Sequence, residues 1–311
     1  MTNQNTNTTL KSDLNEAKIL LVGQGGVGKT SIIKRLTGSS FDLAESKTAG
    51  IQIQPWSVSI KKKRYKLNIW DFGGQEIMHA THQFFLTERS LYILVIDTRM
   101  GERENGLEYW LKIIESFGGD SPIIVVGNKI DQHQLDIDKR GLKAKYKNIT
   151  TIVETSCKNS QGIDELRDVL TAATIKLPHI HKKISQNWLS VRTKIEKSKE
   201  SFINFSRFEN ICINEAVVNS EEQLTLLSFL HDLGIVFHYK DDPRLEDTNI
   251  LNPNWVTNGV YDILNSRLLA KSKGILHVNQ LHQILNRAEY PKHTHFFIID
   301  MMRKFEPCLS V

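Results

Sequence analysis

The fold is decided by the stretch Gly23-Gln24-Gly25-Gly26-Val27-Gly28-Lys29-Thr30, which follows an apolar run and precedes a helical pattern. Strand, glycine-rich loop and helix in this order make the pattern G-x-x-x-x-G-K-[ST] a phosphate-binding loop. Glycines let backbone N–H groups approach a polyphosphate closely, and the helix N-terminus adds unsatisfied donors and partial positive charge. We therefore predict a nucleotide-binding role for Gly23, Gly25, Gly26, Val27, Gly28, Lys29, Thr30 and Ser31.

Two side chains of this loop have specific expected roles. Lys29 can bridge the β- and γ-phosphates of a nucleoside triphosphate, and the Thr30 hydroxyl can bind Mg²⁺. A tight glycine turn without a ligand is the alternative, but every fixed position of the motif and both flanking elements favour the phosphate site.

The composition is that of an ordinary globular protein of 311 residues, 40% hydrophobic and 24% charged, with a net charge of +5. The length predicts about two domains, and the mild charge gives no reason to expect a nucleic-acid partner. Three widely separated cysteines fit neither a disulfide framework nor a zinc site, which favours a reducing, cytoplasmic location. No apolar run is long enough for stable membrane insertion, and residues 1–15 are expected to form a disordered tail.

Residues 18–177 alternate short apolar strands with helices, which predicts an α/β fold: a mostly parallel sheet with helices on both faces. The predicted strands are 18–22, 52–60, 65–71, 91–97, 122–126 and 151–154, and later helices are expected at 107–114 and 163–173. Four basic residues at 61–64 mark the tip of a hairpin between strands two and three. We interpret them as a solvated turn rather than as a patch for a membrane or nucleic acid.

Two further segments match the parts of a nucleotide switch. Thr48 lies in a loop-like stretch before strand two, where its hydroxyl can reach Mg²⁺ and the γ-phosphate. Asp71 ends strand three, where its carboxylate can hold Mg²⁺ through water, while the Gly74 N–H can sense the γ-phosphate and Gln75 can orient the attacking water. Residues 71–73 also spell the metal motif of protein kinases, but no H-R-D-x-x-x-x-N loop precedes them, which excludes a kinase.

The last two segments predict guanine as the base. Asn128-Lys129-Ile130-Asp131 follows strand five, and the Asp131 carboxylate can accept from the two N–H groups that guanine presents. Adenine would leave that carboxylate unpaired, at a cost of about 1–3 kcal/mol. Asn128 would hold the loop and the base edge, and the Lys129 stem would cover the base plane. Ser156 and Cys157 follow strand six, where a backbone N–H can meet the guanine O6.

All five segments fall in order: four follow the C-terminal ends of strands, which is the edge where open α/β sheets bind ligands, and the Thr48 loop leads into strand two. This arrangement predicts a Mg²⁺-dependent, guanine-nucleotide-binding GTPase of the Ras-like type. Two alternatives stay open: a scaffold that holds nucleotide without hydrolysing it, and an ATPase of the NB-ARC kind, which shares the glycine loop. Gln75 and Thr48 favour hydrolysis, and Asp131 favours guanine.

Beyond Pro178 the pattern changes to a second, helix-rich domain with a small strand element. Helices are predicted at 182–200, at 221–233 before Gly234, from Asn252-Pro253 onward, at 278–285 and at 296–305, with a strand at 235–239. The pairs His179-x-His181 and His293-x-His295 have no further ligand nearby in sequence, so we do not interpret them as metal sites.

Several stretches of the chain resemble a known family. Residues 70–76 (WDFGGQE) and 79–87 (HATHQFFLT) resemble the Roc domain, the Ras-like GTPase of Roco proteins. Residues 188–192 (WLSVR), 229–236 (FLHDLGIV) and 250–256 (ILNPNWV) resemble the COR domain that follows Roc. The resemblance places Roc at 16–177 and the N-terminal part of COR at 178–311.

The resemblance implies a GTP- and GDP-binding switch whose COR domain transmits the nucleotide state to dimerisation and to protein partners. It also implies that an arginine from the loop after strand four acts across a dimer. Arg99 and Arg103 are the candidates, and Arg103 is the one we assign to catalysis, with a solvated surface arginine as the alternative. Leucine-rich repeats and a kinase domain, found in other members, are missing from this chain. Since the chain stops at Val311, within what resembles the first half of COR, we expect its self-association to be weak.

Overall fold

The computed structural model describes residues 11–42, 48, 50–73 and 81–305. Within these residues ten strands form three sheets. Strand bounds are β1 Lys11–Asp13, β2 Glu16–Val22, β3 Ile51–Ile60, β4 Lys63–Phe72, β5 Leu91–Asp97, β6 Ile123–Asn128, β7 Ile149–Thr155, β8 Lys183–Ser185, β9 Phe202–Asn204 and β10 Thr248–Ile250.

The central sheet has the strand order β3-β4-β2-β5-β6-β7. Strands β3 and β4 form an antiparallel hairpin, and all other neighbouring strands of this sheet are parallel. The predicted mostly parallel sheet is therefore confirmed. The C-terminal ends of β2, β4, β5, β6 and β7 meet at one edge, near which most of the predicted site residues that the structure describes lie.

Helices cover both faces of the central sheet. Their bounds are α1 Lys29–Thr37, α2 Leu107–Gly118, α3 Lys139–Lys145 and α4 Ile163–Thr174. Side chains alternate along β2, as the pleat requires: Ile19 and Leu21 join the core beneath α1 and α4, whereas Leu20 and Val22 join the core beneath α2. Both faces of the strand are buried, which explains its continuous apolar run.

The second half of the chain is helix-rich, as predicted. Its α-helices are α5 Gln186–Glu196, α6 Phe205–Asn214, α7 Ser220–Asp232, α8 Pro253–Leu264, α9 Arg267–Lys271 and α10 His295–Lys304. Helix α8 begins where the sequence indicates, because the Asn252 side chain accepts from the Asn254 N–H and Pro253 occupies the first turn. No helix in the described part of the chain is long and apolar enough to cross a membrane.

Some local predictions for this half are wrong. The helix predicted from residue 182 begins only at Gln186, because Ser185 caps it and residues 183–185 form β8. Strand β8 pairs with β1, so Lys11–Asp13 form a strand instead of belonging to a disordered tail. The strand predicted at 235–239 is reduced to one bridge between Phe237 and Ile250. The helix predicted at 278–285 is a 3₁₀-helix over Val278–Gln283.

The two halves share one continuous apolar core. The Phe237 ring from the second half packs edge-on against Trp70 and Phe85 of the first, with centroid distances of 5.6 and 4.8 Å. The Tyr239 hydroxyl donates to the Phe84 carbonyl oxygen at 2.6 Å. Such a buried aromatic contact fixes the second half against the sheet rather than leaving it on a free linker.

Lys18 is fully buried at the centre of this interface. Its Nζ donates to the Phe85 carbonyl oxygen at 2.7 Å and to the Thr87 hydroxyl at 3.1 Å, and lies 4.7 Å from the Trp70 ring centroid. Gly234 makes room for it: its φ is +72°, and a Cβ there would lie 2.9 Å from Trp70 and 3.2 Å from Lys18. Burial lowers the pKa of Lys18 to about 7, although Asp232 opposes the shift.

This burial predicts a pH-dependent stability. The unfolded chain holds the Lys18 proton up to the ordinary pKa of 10.5, whereas the folded chain releases it above about 7. Between these values the unfolded state binds more protons, so stability rises with pH. Relative to Lys18→Met, the free energy of unfolding of the wild type should rise by on the order of 3 kcal/mol from pH 7 to pH 10.

Urea unfolding at a series of pH values measures this difference. The exposed Lys147 provides the control, and Lys147→Met should give a difference from wild type that does not change with pH. A flat difference for Lys18→Met as well would show that Lys18 keeps its proton in the folded protein.

Candidate nucleotide-binding site

The glycine loop has the backbone that the motif predicts. Gly23 and Gly28 have φ of +137° and +97°, in the region that favours glycine. A Cβ on Gly23 would lie 2.2 Å from the Val95 carbonyl oxygen, and one on Gly28 would lie 2.4 Å from the Asn128 Nδ2. Both glycines are therefore required by close neighbours. Helix α1 begins directly after Gly28, so its first N–H groups open toward the loop.

The other residues of the loop take distinct positions. Gly25 and Gly26 are exposed, Ser31 is half-buried in the first turn of α1, and Val27 is buried in the core. Lys29 lies along the loop, and its Nζ donates to the carbonyl oxygens of Gly23 at 2.8 Å and Gln24 at 2.9 Å. Burial lowers the Lys29 pKa to about 8, and Asp71 opposes this shift.

The three predicted metal ligands come together from separate segments. The Thr30 hydroxyl donates to Asp71 Oδ2 at 2.6 Å and lies 2.7 Å from the Thr48 hydroxyl. Thr48 in turn donates to Asp71 Oδ2 at 3.4 Å. Neighbouring oxygens in a Mg²⁺ octahedron with bonds of 2.0–2.1 Å are about 3 Å apart. The Thr30 and Thr48 hydroxyls therefore have the spacing of two neighbouring Mg²⁺ ligands, and the Asp71 carboxylate lies beside them, where it could hold the ion through water.

Asn128 connects the glycine loop to the loop that follows β6, which is predicted to meet the base. Its Nδ2 donates to the Val27 carbonyl oxygen at 2.9 Å. Its Oδ1 accepts from the Thr155 hydroxyl and from the Cys157 N–H, both at 3.3 Å. This buried side chain consequently fixes three loops relative to one another.

Asp131, the residue predicted to meet the base, is exposed and therefore accessible to a ligand. The Ser156 hydroxyl donates to its Oδ1 at 2.6 Å, and this hydrogen bond is the main reason that the Asp131 pKa lies below its usual value. The carboxylate is therefore held in its ionised, accepting form.

Asp97, at the end of β5, is a site residue that the sequence analysis did not identify. Its Oδ2 accepts from Lys129 Nζ at 2.7 Å, and Lys129 also donates to the Gly26 carbonyl oxygen at 2.7 Å. Arg99 binds the same carboxylate through two nitrogens, at 3.0 and 2.7 Å. Burial opposes ionisation of Asp97, but the hydrogen bonds from Arg99 and Lys129 lower its pKa to about 2. Its position as an acidic residue at the C-terminal end of a strand, which Asp71 shares, could have identified it from the sequence.

The loop after β5 separates the two candidate arginines. Arg99 is engaged with Asp97, whereas Arg103 is exposed. Asn105 anchors the loop, donating to carbonyl oxygens of Asp97 and Met100, each at 2.9 Å. The loop returns to the phosphate loop at Gly106, where a Cβ would lie 3.0 Å from the Gln24 side chain.

Two predicted residues, Gly74 and Gln75, lie outside the residues that the structure describes, so their roles stay predictions. The histidine pairs do not gather metal ligands. Across the described segments, no group of three or more histidine, cysteine, aspartate or glutamate side chains could hold a metal ion. His179 is buried, and His295 hydrogen-bonds the Tyr290 carbonyl oxygen.

The fold and the loops at its sheet edge define a Ras-like nucleotide-binding domain joined to a helix-rich domain. Residues 18–131 match the family model described as "Ras of Complex, Roc, domain of DAPkinase". Residues 185–311 match the model described as "C-terminal of Roc, COR-A domain".

A solved structure matches this chain over both of these domains. The structure of Methanosarcina barkeri Roco2 RocCORdC bound to GDP matches with a TM-score of 0.93 and 46% identity, covering 99% of this chain and 96% of that one. The chain therefore belongs to the Roco family, and it contains a Roc domain and a COR-A domain. The predicted family is confirmed.

Two curated proteins are similar to this chain in sequence. The probable serine/threonine-protein kinase pats1 of Dictyostelium discoideum is 32% identical over 93% of this chain, which spans only 10% of that protein's length. The Ras-related protein Rab-18 of Lymnaea stagnalis is 31% identical over 55% of this chain and 86% of its own length. This second alignment covers 173 residues, which is about the length of a single Ras-like domain.

The geometry of Asp131 predicts a change of base preference in Asp131→Asn. The amide replaces one acceptor by a donor, so guanine loses a partner while the 2-oxo group of xanthine gains one. We expect GTP affinity to fall by about a hundredfold or more and XTP affinity to rise. Competition against a fluorescent nucleotide measures both affinities.

Asp120→Asn is the matched control, because Asp120 is an exposed aspartate before β6, at the opposite edge of the sheet. It should leave both affinities unchanged. An unaltered GTP-to-XTP ratio in Asp131→Asn would remove Asp131 from the base site.

Proposed function

We propose that this protein is a Mg²⁺-dependent GTPase that hydrolyses GTP to GDP and acts as a molecular switch read out by its COR-A domain. The observation that carries the proposal is the convergence of the Thr30, Thr48 and Asp71 oxygens beside the phosphate loop. A site that only stores nucleotide has no need for a threonine from a separate loop. A γ-phosphate can hold such a loop, and hydrolysis can release it.

Each residue has a role in this proposal. The N–H groups of the glycine loop and of the α1 N-terminus bind the phosphates, and Lys29 exchanges its carbonyl partners for phosphate oxygens. Thr30, Thr48 and Asp71 would hold Mg²⁺, which when bound counters the charge on the β- and γ-phosphates. Gln75 orients the attacking water, as predicted from the sequence.

The choice of guanine over adenine is supported by the Asp131–Ser156 hydrogen bond. The ionised carboxylate accepts from the two N–H groups of guanine, and adenine would leave it unpaired. Lys129 is held by Asp97 and Gly26, so its stem is in place to cover the base. These contacts argue against the ATPase alternative.

Transmission to COR-A is supported by the packing behind the metal ligands. Trp70 directly precedes Asp71, and its ring contacts Phe237 of COR-A. A movement of the Asp71 segment would therefore disturb the interface. By membership of the family, we further propose that the nucleotide state governs self-association and binding of a protein partner.

Hydrolysis and base selectivity can be tested with three measurements. GTP should outcompete ATP for the site by several orders of magnitude, Lys29→Ala should abolish triphosphate binding without unfolding, and single-turnover hydrolysis should be slow. We expect a rate on the order of 10⁻⁴ to 10⁻² s⁻¹, since the transition-state charge is only partly countered. Gln75→Leu should lower this rate without weakening GTP binding.

Gln283 provides the matched control, because it is an exposed glutamine of COR-A. Gln283→Leu should hydrolyse GTP at the wild-type rate. GTP binding without turnover in the wild type would favour the non-hydrolysing scaffold, and preference for ATP would refute the guanine-specific site.

Arg103 predicts a dependence of activity on protein concentration. An arginine supplied to the transition state is worth roughly 10³–10⁵ in rate, and an exposed Arg103 on an anchored loop is available to a second copy. Activity per molecule should therefore rise with protein concentration. Arg103→Ala should flatten the rise and leave GTP affinity unchanged.

Arg64→Ala is the control, since Arg64 is exposed in the β3–β4 hairpin. It should keep the wild-type concentration dependence. Equal, concentration-independent activity in the wild type and in Arg103→Ala would leave Arg103 as a surface charge.

A further inference from the structure

A single COR-A side chain holds the backbone that follows Thr48. Asn254 Oδ1 accepts from the Ile51 N–H at 3.0 Å, and Asn254 Nδ2 donates to the Ile51 carbonyl oxygen at 3.1 Å. The carboxamide thus pairs with both polar backbone groups of one residue, as a neighbouring strand would. Gly50 has a φ of +64°, and a Cβ there would lie 2.9 Å from Asn254 Oδ1, so the contact requires glycine at this position.

Asn254 is itself rigidly placed. It lies in the first turn of α8, where its N–H donates to the Asn252 side chain at 3.0 Å. The next residue, Trp255, is buried between the rings of Phe202 and Tyr290, at centroid distances of 4.7 and 5.6 Å. The amide is consequently presented from a fixed element rather than from a mobile loop.

The same backbone is held from the opposite side by the Roc domain. The Gly50 carbonyl oxygen accepts from the Gly73 N–H at 2.9 Å, and Gly73 lies two residues after Asp71. Thr48 lies two residues before Gly50, with its hydroxyl 2.7 Å from that of Thr30. The backbone of Gly50 and Ile51, just after Thr48, is therefore hydrogen-bonded by both domains: by Gly73 of Roc and by Asn254 of COR-A.

We propose that Asn254 is a positioning residue for Thr48. Through Asn254, the placement of COR-A sets the Mg²⁺ affinity of the site when a nucleoside triphosphate is bound. The inference rests on the proposed function, because it takes Thr48 as a Mg²⁺ ligand in the presence of a γ-phosphate. Without the two hydrogen bonds the Gly50–Ile51 backbone is free to move away from Gly73. Thr48 then spends less time beside Thr30 and Asp71.

The test measures Mg²⁺ dependence of nucleotide retention, which involves no turnover. Dissociation of a fluorescent, non-hydrolysable GTP analogue is followed over a Mg²⁺ titration, and the same is done with fluorescent GDP. In Asn254→Ala the Mg²⁺ concentration for half-maximal retention of the GTP analogue should rise by about fivefold, since two neutral hydrogen bonds are lost. For GDP, which has no γ-phosphate to engage Thr48, the change should be less than about twofold.

Asn265→Ala is the matched control, because Asn265 is an exposed asparagine at the other end of α8 whose side-chain amide donates to the Tyr261 carbonyl oxygen of the same helix. It should retain both nucleotides as the wild type does. Asn254→Asp gives a second variant if Asn254→Ala lowers the melting temperature. It keeps the acceptor for the Ile51 N–H but loses the donor, so it should shift the GTP analogue in the same direction.

A double-mutant cycle identifies the route of the effect. In a Thr48→Ala background, Asn254→Ala should change the half-maximal Mg²⁺ concentration by less than about twofold, because the ligand that Asn254 positions is already gone. Equal shifts for GDP and the GTP analogue, or additivity with Thr48→Ala, would overturn the proposal. A wild type that retains the GTP analogue independently of Mg²⁺ would refute the proposed function itself, whereas a Mg²⁺-dependent wild type with an unchanged Asn254→Ala would refute only this inference.

Discussion

The structure depends on the contact between Gly28 and Asn128. The absence of a side chain on Gly28 lets the Asn128 amide reach the Val27 carbonyl oxygen, which joins the phosphate loop to the loop after β6. The same amide oxygen then receives the Thr155 hydroxyl and the Cys157 N–H. Because Asn128 is buried, each of these bonds is worth more than at the surface, and an unpaired group there would be costly. The loops predicted to hold the phosphates and the base are thus fixed relative to each other by one side chain.

The sequence predicts those parts of the site whose positions follow from short local motifs. A strand that ends in a glycine loop, an acid or an asparagine brings that residue to the same sheet edge whatever the rest of the chain does, since parallel strands end together. Thr30 and Asp71 were predicted for this reason, and the structure brings them within 2.6 Å. Asp97 satisfies the same rule but carries no motif of its own, so its role with Lys129 became evident only from the contacts.

The parts that the sequence does not predict are those made between the halves of the chain. Lys18 belongs to an apolar run and its burial against Phe237 depends on how COR-A docks. The sequence around Asn254 predicts only the start of a helix. Its hydrogen bonds to Ile51 join two domains and are not visible in that local pattern. The helix predicted from residue 182 was misjudged for a related reason, because the strand that replaces its first turn pairs with residues 11–13. In this last case long-range pairing overrides local propensity, whereas the contacts of Lys18 and Asn254 add to elements that the sequence predicts.

The pairing of β1 with β8 changes how the two domains should be counted along the chain. Leu14 packs in the COR-A core with Ile184 and Val191, so the segment that starts the described chain belongs physically to COR-A. Along the chain, the Roc domain lies between two segments that pack in the same core, and the short β1–β8 ribbon joins these segments. The folded Roc domain between these segments keeps its two ends close together, so their contact closes a compact domain rather than a long flexible loop. Cutting the chain at the linker would therefore leave COR-A without a strand and a core leucine, even though every residue after the linker were present.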